Sequence, residues 1–481
     1  MESSLTFNYV LTIADYRLAI AALSLFDRLA LDSETYTIQQ YESTVGDKGR
    51  LSPHTGRISL LTLVGESSLP YVFDLIVLEH LDYDPQPLLN LLRTREYILA
   101  HHAKFDLLML MGHFKYQFTN VRCTLTLAQL YANATGSKLA RVRKLSLEAL
   151  CRDWLGRFMT GKGSVQLTDW YTSVSARTLD NPQWVEKLHY AAVDVINLLE
   201  LHDLLNSILC LPLPSSPYIE ETEREEGEEQ GYGYGMANVV DVEMRFINVA
   251  AEIQFNGLPA SSYVLNQLLD AVVTEKMRAA QSFCHTVGLP TLLLSPFDDY
   301  ESPSPSSLKS LNSPAQLKSI LTNLTDLELT STQSGLIERT LKVLQAYAEH
   351  NKKSDDNEGG DDDDDEHTVP IELIEGEEDL YGLLEDIESE KLGKLASVLN
   401  ELITYKRLTK LESMNLAAYI NPVTGCIHGN TNAIGTSTGR SSSSKPNIQQ
   451  ISSKNKVVVE LDVDILFKSD CKIDTLAFNY E

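Results

Sequence analysis

No Cys-x-x-Cys pair occurs in the 481 residues, and the six cysteines (Cys123, Cys151, Cys210, Cys284, Cys426 and Cys471) stand singly. That spacing argues against a zinc site and against a disulfide framework, leaving reduced, mostly buried thiols as the expectation. Also missing is any apolar run of about 18 residues, the length a membrane-crossing helix needs. The opening MESSLTFNYV lacks the basic start and apolar stretch of a secretion signal. A cytoplasmic location with no membrane partner is therefore expected. Basic residues are scarce, with 40 Lys and Arg against 67 Asp and Glu, a net charge of −27.

The placement of that charge decides what it excludes. Residues 218–230 carry seven carboxylates and one arginine, and residues 355–390 carry eighteen carboxylates with no Lys or Arg. Together they hold −24 of the −27, so the rest of the chain is close to neutral. Acid runs of this kind repel themselves and bury no apolar surface, and they are expected to be disordered. A polyanionic partner is thus not excluded by the global acidity.

From Tyr9 to about Ile208, short β-rich runs alternate with helical stretches, which predicts an α/β domain with a central sheet. RLALDSE, RISLLTLV and EYILAHH read as strands, and the apolar recurrence from Glu186 onward predicts one long amphipathic helix. The expected division is a first domain over 1–210, an acidic linker over 211–238, a helical region over 239–350, an acidic insertion over 351–368 and a final segment over 369–481. Within the helical region, the run from Val239 should stop at Asn256-Gly257, and Ser313-Pro314 should open another helix.

Three local patterns suggest chemistry. Asp32 and Glu34 are two apart at the end of a β-run, so a strand projects both carboxylates from one face, a geometry suited to a metal ion. Composition alone yields about nine acid-x-acid triplets, so the pair is weak in isolation. Asp106 follows a strand that ends near His101, at the end of the sheet where α/β folds place ligands; alone it reads as an acid at a helix N-terminus. Tyr190 and Asp194 are four apart and adjacent on one helix face.

Taken as an ordered set, these motifs resemble the DEDDy 3′→5′ exonucleases of ribonuclease H-like fold. CTLTLAQLY, LSLEALCRDWLG, QLTDW and KLHYAAVDV are similar to the intervening segments of that family, so the resemblance spans the first domain. It implies two divalent ions, Mg²⁺ or Mn²⁺, about 4 Å apart, with oxygen ligands. Asp32, Glu34 and Asp194 would hold the ion that binds the attacking water. Asp32, with Asp106 acting mainly through water, would hold the ion facing the leaving 3′-oxygen, and Tyr190 would orient the nucleophilic water. His102 stands where the family usually has an asparagine that helps hold the 3′-terminal nucleotide. A metal pair formed by His101 and His102 is disfavoured, because adjacent strand residues point to opposite faces.

Residues 420–451 resemble the segment that opens the palm of family A DNA polymerases, with Thr-x-Thr-Gly-Arg at Thr436 to Arg440 and Pro-Asn-x-Gln at Pro446 to Gln449. The preceding helices fit that family's thumb, and the implied fold is an exonuclease domain followed by a mainly α-helical thumb and an incomplete palm. By resemblance, Arg440 and Asn447 would touch a primer-template duplex, contacts that position without reading sequence. Asp462 and Asp464 lie in no context matching the polymerase motifs, so polymerisation is expected to be lost from this chain alone.

The implied function is proofreading-type hydrolysis at the single-stranded 3′ end of DNA, in replication and repair. Three alternatives stay open: a nucleic-acid-binding module of little activity, half of a split polymerase completed by a second chain, and a ribonuclease D or Werner-type exonuclease acting on RNA or DNA.

Overall fold

The pattern of β2 (Arg28–Thr37) explains much of the first unit. Leu29, Ala30 and Leu31 are all buried, after which burial alternates: Ser33 and Thr35 face inward while Asp32, Glu34 and Tyr36 stay half-exposed. A strand covered on both faces needs continuous apolar residues, and one whose second face opens shows a period of two. The opening of β2 is thus written into its sequence, and it lies where the acids are.

The computed structural model describes residues 7–134, 145–159, 170–210, 234–288, 314–325, 337–345, 389–436 and 438–450. The chain forms two units, one of residues 1–260 and 419–452 and the other of 261–418 and 453–481. Of the acidic linker expected over 211–238, residues 211–233 lie outside the described residues, as do the insertion 351–368 and Asp462 and Asp464, whereas 234–238 are helix rather than linker.

In the first unit, six strands make one mixed sheet. β1 (Asn8–Val10), β2, β3 (Gly56–Val64), β4 (Tyr71–Asp74), β5 (Tyr97–Ala100) and β6 (Val121–Cys123) lie in the order β1-β4-β3-β2-β5-β6. β3 runs antiparallel to both neighbours, while β1 with β4, β2 with β5 and β5 with β6 are parallel. The β2–β3 register shifts at Glu34/Thr35, where Ser59 of β3 is the extra residue. Helices α1 (Ile13–Leu23), α2 (Gln39–Val45), α3 (Leu75–His80), α4 (Gln86–Thr94) and α5 (Lys104–Phe114) lie between strands, and α6 (Thr124–Ala134) and α7 (Leu147–Leu155) follow the last of them. The α/β expectation and the three strands named from sequence are present, with β5 ending at Ala100 rather than at His102.

The single long helix expected from Glu186 is instead two, α8 (Pro182–Ile196) and α9 (Leu198–Cys210). Asn197 interrupts them, its side-chain oxygen accepting from Arg157 Nη1 at 2.7 Å. A side-chain partner outside the helix supplies a reason to bend that apolar periodicity does not carry. α8 lays Trp184, Leu188, Ala191 and Ala192 against Leu60, Val72, Phe7 and Trp170.

The first unit also contains α10 (Tyr234–Asn256), although sequence assigns this stretch to the helical region. Its residues Val240, Met244, Ile247, Ala251 and Phe255 are buried at helical spacing, and Met244 Sδ accepts from the Cys123 backbone N–H at 3.3 Å. Gly257, with φ of 69°, ends it as the Asn-Gly pair predicts. β7 (Leu258–Pro259) pairs with β8 (Cys426–Ile427), and β9 (Asn430–Asn432) with β10 (Ser442–Ser444), so the 419–450 segment folds with this unit.

In the second unit, α11 (Ser262–Thr286) and α13 (Ser389–Met414) pack through Ala280, Phe283, Val398, Leu399 and Leu402, with Leu317 and Leu321 of α12 (Pro314–Thr325) in the same core. Pro314 opens α12, as the Ser-Pro signal predicts. Lys276 and Glu412 join the first two helices at 2.5 Å. Among the described residues no helix is long and apolar enough to cross a membrane, and Cys123, Cys151, Cys210, Cys284 and Cys426 are free thiols.

Candidate active site

Asp32 and Glu34 leave β2 on the face that α8 covers, and α8 brings Asp194 to the same place. Ligand oxygens of these three carboxylates lie within 4.8 Å of one another. Among the described residues it is the one group of three or more His, Cys, Asp or Glu side chains so arranged. Burial, and then the charges of Asp32, Asp194 and Asp106, hold the Glu34 carboxyl well above the ordinary range, while the Arg50 guanidinium acts the other way. Three acids forced together in a partly dry site are an all-oxygen donor set, and such a set fits a hard divalent cation.

Asp106 enters from α5 and is buried. Its Oδ1 accepts a hydrogen bond from the Ser33 hydroxyl at 2.6 Å. Burial raises the Asp106 carboxyl to about 7, although the bond from Ser33 favours its ionised form. Sequence reading passed over Ser33, whose only signal is its place between the two acids. The strand alternation that aims Asp32 and Glu34 one way aims Ser33 the other, toward α5.

Tyr190 is half-buried beside Asp194, four residues along α8. Its phenol is raised above the usual range by burial first and by the Asp194, Glu34 and Asp32 charges next, and it hydrogen-bonds Asp194. It therefore keeps its proton at neutral pH. The Trp170 ring packs 5.8 Å from the Tyr190 ring.

A buried polar network anchors the segment that carries Trp170. The Arg177 guanidinium, 1% exposed, meets Asp74 Oδ1 at 2.8 Å, donates to Ser59 Oγ and to the carbonyls of Trp170 and Thr172, and lies 4.4 Å from the Trp184 ring centroid. Tyr9 adds a hydroxyl bond to Asp74 Oδ2 at 2.6 Å and accepts from Trp184 Nε1. No spacing in the sequence pointed to Arg177, because Ser59, Asp74 and Tyr9 reach it from three distant strands.

The other sequence-named residues lie elsewhere in the unit. His101 is structural: its ring nitrogens contact Thr124 Oγ1 at 2.9 Å and the Leu145 carbonyl at 3.1 Å. His102 adopts φ of 63°, a left-handed conformation in which Asn and His are both enriched. It lines a cavity with Lys104, Gln129, Thr431 and Asn432. Lys104 donates to Gln254 Oε1, to the Thr431 carbonyl and to Asn430 Oδ1. Arg440 is exposed on the turn between β9 and β10, where its N–H donates to Thr436 Oγ1 at 3.0 Å. Asn447 lies half-buried beyond β10.

Comparison with known proteins agrees with this architecture. Residues 8–210 match the 3′-5′ exonuclease family, and residues 382–470 match DNA polymerase family A. DNA polymerase I of Aquifex aeolicus is 26% identical over 452 residues, 92% of this chain and 58% of that protein. DNA polymerase I of Chloroflexus aurantiacus is 43% identical over 65 residues, 13% of this chain and 7% of that one. The chain thus spans less than two thirds of either curated relative. The polymerase domain of Pol1 from M. smegmatis, solved with a DNA primer-template and dNTP, superposes with a TM-score of 0.53 at 16% identity, over 93% of this chain and 56% of that one, which shows a shared fold. The exonuclease family implies use of a divalent metal, and a carboxylate cluster is present here. β2, α5 and α8 accordingly belong to a 3′-5′ exonuclease domain, set within a DNA polymerase I-like chain that carries part of a family A polymerase domain.

Proposed function

We propose that this chain removes nucleotides from the 3′ end of single-stranded DNA by metal-dependent phosphodiester hydrolysis, with Asp32, Glu34, Asp106 and Asp194 as the metal ligands and Tyr190 beside them. The observation that carries the reading is the convergence of Asp32, Glu34 and Asp194, from a strand and a helix about 160 residues apart, within 4.8 Å. Two Mg²⁺ or Mn²⁺ ions bound there would neutralise charge on the scissile phosphate and favour a deprotonated water. Asp32, Glu34 and Asp194 face the cluster directly, and Asp106, tethered by Ser33, supports it from the α5 side. Tyr190, protonated at neutral pH, orients a water by hydrogen bonding and is not a base. His102 would approach the terminal nucleotide, and Arg440 and Asn447 would contact duplex backbone.

Digestion of a 5′-labelled single-stranded oligonucleotide tests this, with Mg²⁺, with Mn²⁺ and with chelator. A ladder shortening from the 3′ end, abolished by chelator and by Asp194→Ala or Asp32→Ala while the melting temperature holds, is expected. Undiminished trimming by either variant would remove the site assignment. No trimming by the wild type would favour the binding-module reading, and RNA and primed-template arms with dNTPs decide substrate preference and polymerisation.

A further inference from the structure

We propose that Tyr36 and Tyr171 form an aromatic platform on which bases of the substrate strand stack as its 3′ end enters the carboxylate cluster. The inference rests on the exonuclease reading and adds a base-binding surface to it.

Alternation along β2 sets Tyr36 on the half-exposed face that carries Asp32 and Glu34, about 7 Å of strand beyond Glu34. The extra residue of the β2–β3 irregularity is on β3, so β2 keeps its alternation through Tyr36. The Tyr171 ring lies against it, with centroids 5.5 Å apart and planes tilted by 38°. Tyr171 is 53% exposed, while its neighbour Trp170 is fully buried.

A surface tyrosine usually gains little from a fixed position, yet this one is held firmly. One buried guanidinium, that of Arg177, takes the carbonyls on both sides of it, Trp170 O at 3.0 Å and Thr172 O at 2.9 Å. The backbone that presents Tyr171 is thus tied into the core, and a preorganised ring loses little freedom when a ligand covers it. The charged groups that act on Tyr36 are Glu79, Arg57 and Arg177. Arg57 is the ladder partner of Tyr36. An exposed and a half-exposed ring beside guanidinium groups match single-stranded nucleic acid, whose bases stack on aromatic faces regardless of sequence while cations track the backbone.

The test reads binding rather than turnover. Fluorescence anisotropy of a 5′-fluorescein oligothymidylate is measured in EDTA, against the same probe with its last two nucleotides abasic. The wild type should prefer the intact probe, and Tyr171→Ala should weaken that binding about fivefold to a hundredfold with little effect on the abasic probe. Tyr171→Trp should restore the preference, and Tyr36→Ala should reduce it. Equal binding of both probes by the wild type, or equal loss for both in Tyr171→Ala, would overturn the platform. Because hydrolysis is not needed, a chain that keeps this base-dependent binding yet trims nothing in Mg²⁺ would sink the exonuclease reading while retaining the platform.

Discussion

His54 shows how a single side chain records its surroundings. Its ring stacks 4.3 Å from that of His428, and its Nε2 donates to the Phe255 carbonyl at 2.9 Å. Burial first, and the neighbouring His428 second, lower its pKa to about 4, with Lys115 and Arg57 acting in the same direction. A histidine depressed in the folded state contributes stability that is complete above its unfolded value near 6.5 and is lost as pH falls toward 4. The loss at pH 5 should be on the order of 2 kcal/mol. Melting temperatures at pH 7.5 and pH 5 should therefore separate more for the wild type than for His54→Gln, and equal separations would show that the stacked pair does not govern the acid sensitivity.

At the scale of elements, one carboxylate ties a helix to a loop. Asp74 caps α3 by accepting from the Val77 N–H at 3.2 Å and also meets Arg177, with both partners fully buried. Replacing the cation alone leaves an uncompensated charge in the interior, a change that costs about 3–5 kcal/mol. Arg177→Leu should accordingly lower the unfolding free energy by that amount, read as a lower urea midpoint with little change in slope. The effect should reach the site, because the same guanidinium holds the carbonyl of Trp170, whose ring packs on Tyr190. An unfolding free energy within about 0.5 kcal/mol of wild type would mean that solvent reaches the pair and screens it.

At the scale of the molecule, the exonuclease unit is not a contiguous stretch of chain. α10 buries Met244, Ile247, Ala251 and Phe255, and Lys104, at the start of α5, donates to Gln254 of α10 and to the β9 residues Asn430 and Thr431. Loss of water around that ammonium lowers its pKa to about 8, the mark of a cation held away from solvent. A chain cut after residue 210 would expose the apolar surface beneath α10 and leave Lys104 without these acceptors. It should melt several degrees below the full chain when followed by circular dichroism, and an unchanged melting temperature would show that residues 1–210 are self-sufficient.

Local patterns alone determined the α/β character of the first domain, the pairing of Asp32 with Glu34 and that of Tyr190 with Asp194. Periods of two and of about 3.6 are properties of the backbone, so they can be read wherever one face of an element is buried. The acidic runs were equally legible, since charge is counted without a fold. Tertiary structure decided the rest. The break at Asn197 depends on Arg157, forty residues away. The Ser33–Asp106 bond spans 73 residues, and the network around Arg177 reaches back to Tyr9 and Asp74. These contacts leave no period in the chain, because they arise only when the β1-β4-β3-β2-β5-β6 order brings distant segments side by side. A neighbouring pair is set by backbone geometry, whereas a distant one is set by the whole packing, and only the first of these can be read along a single strand of letters.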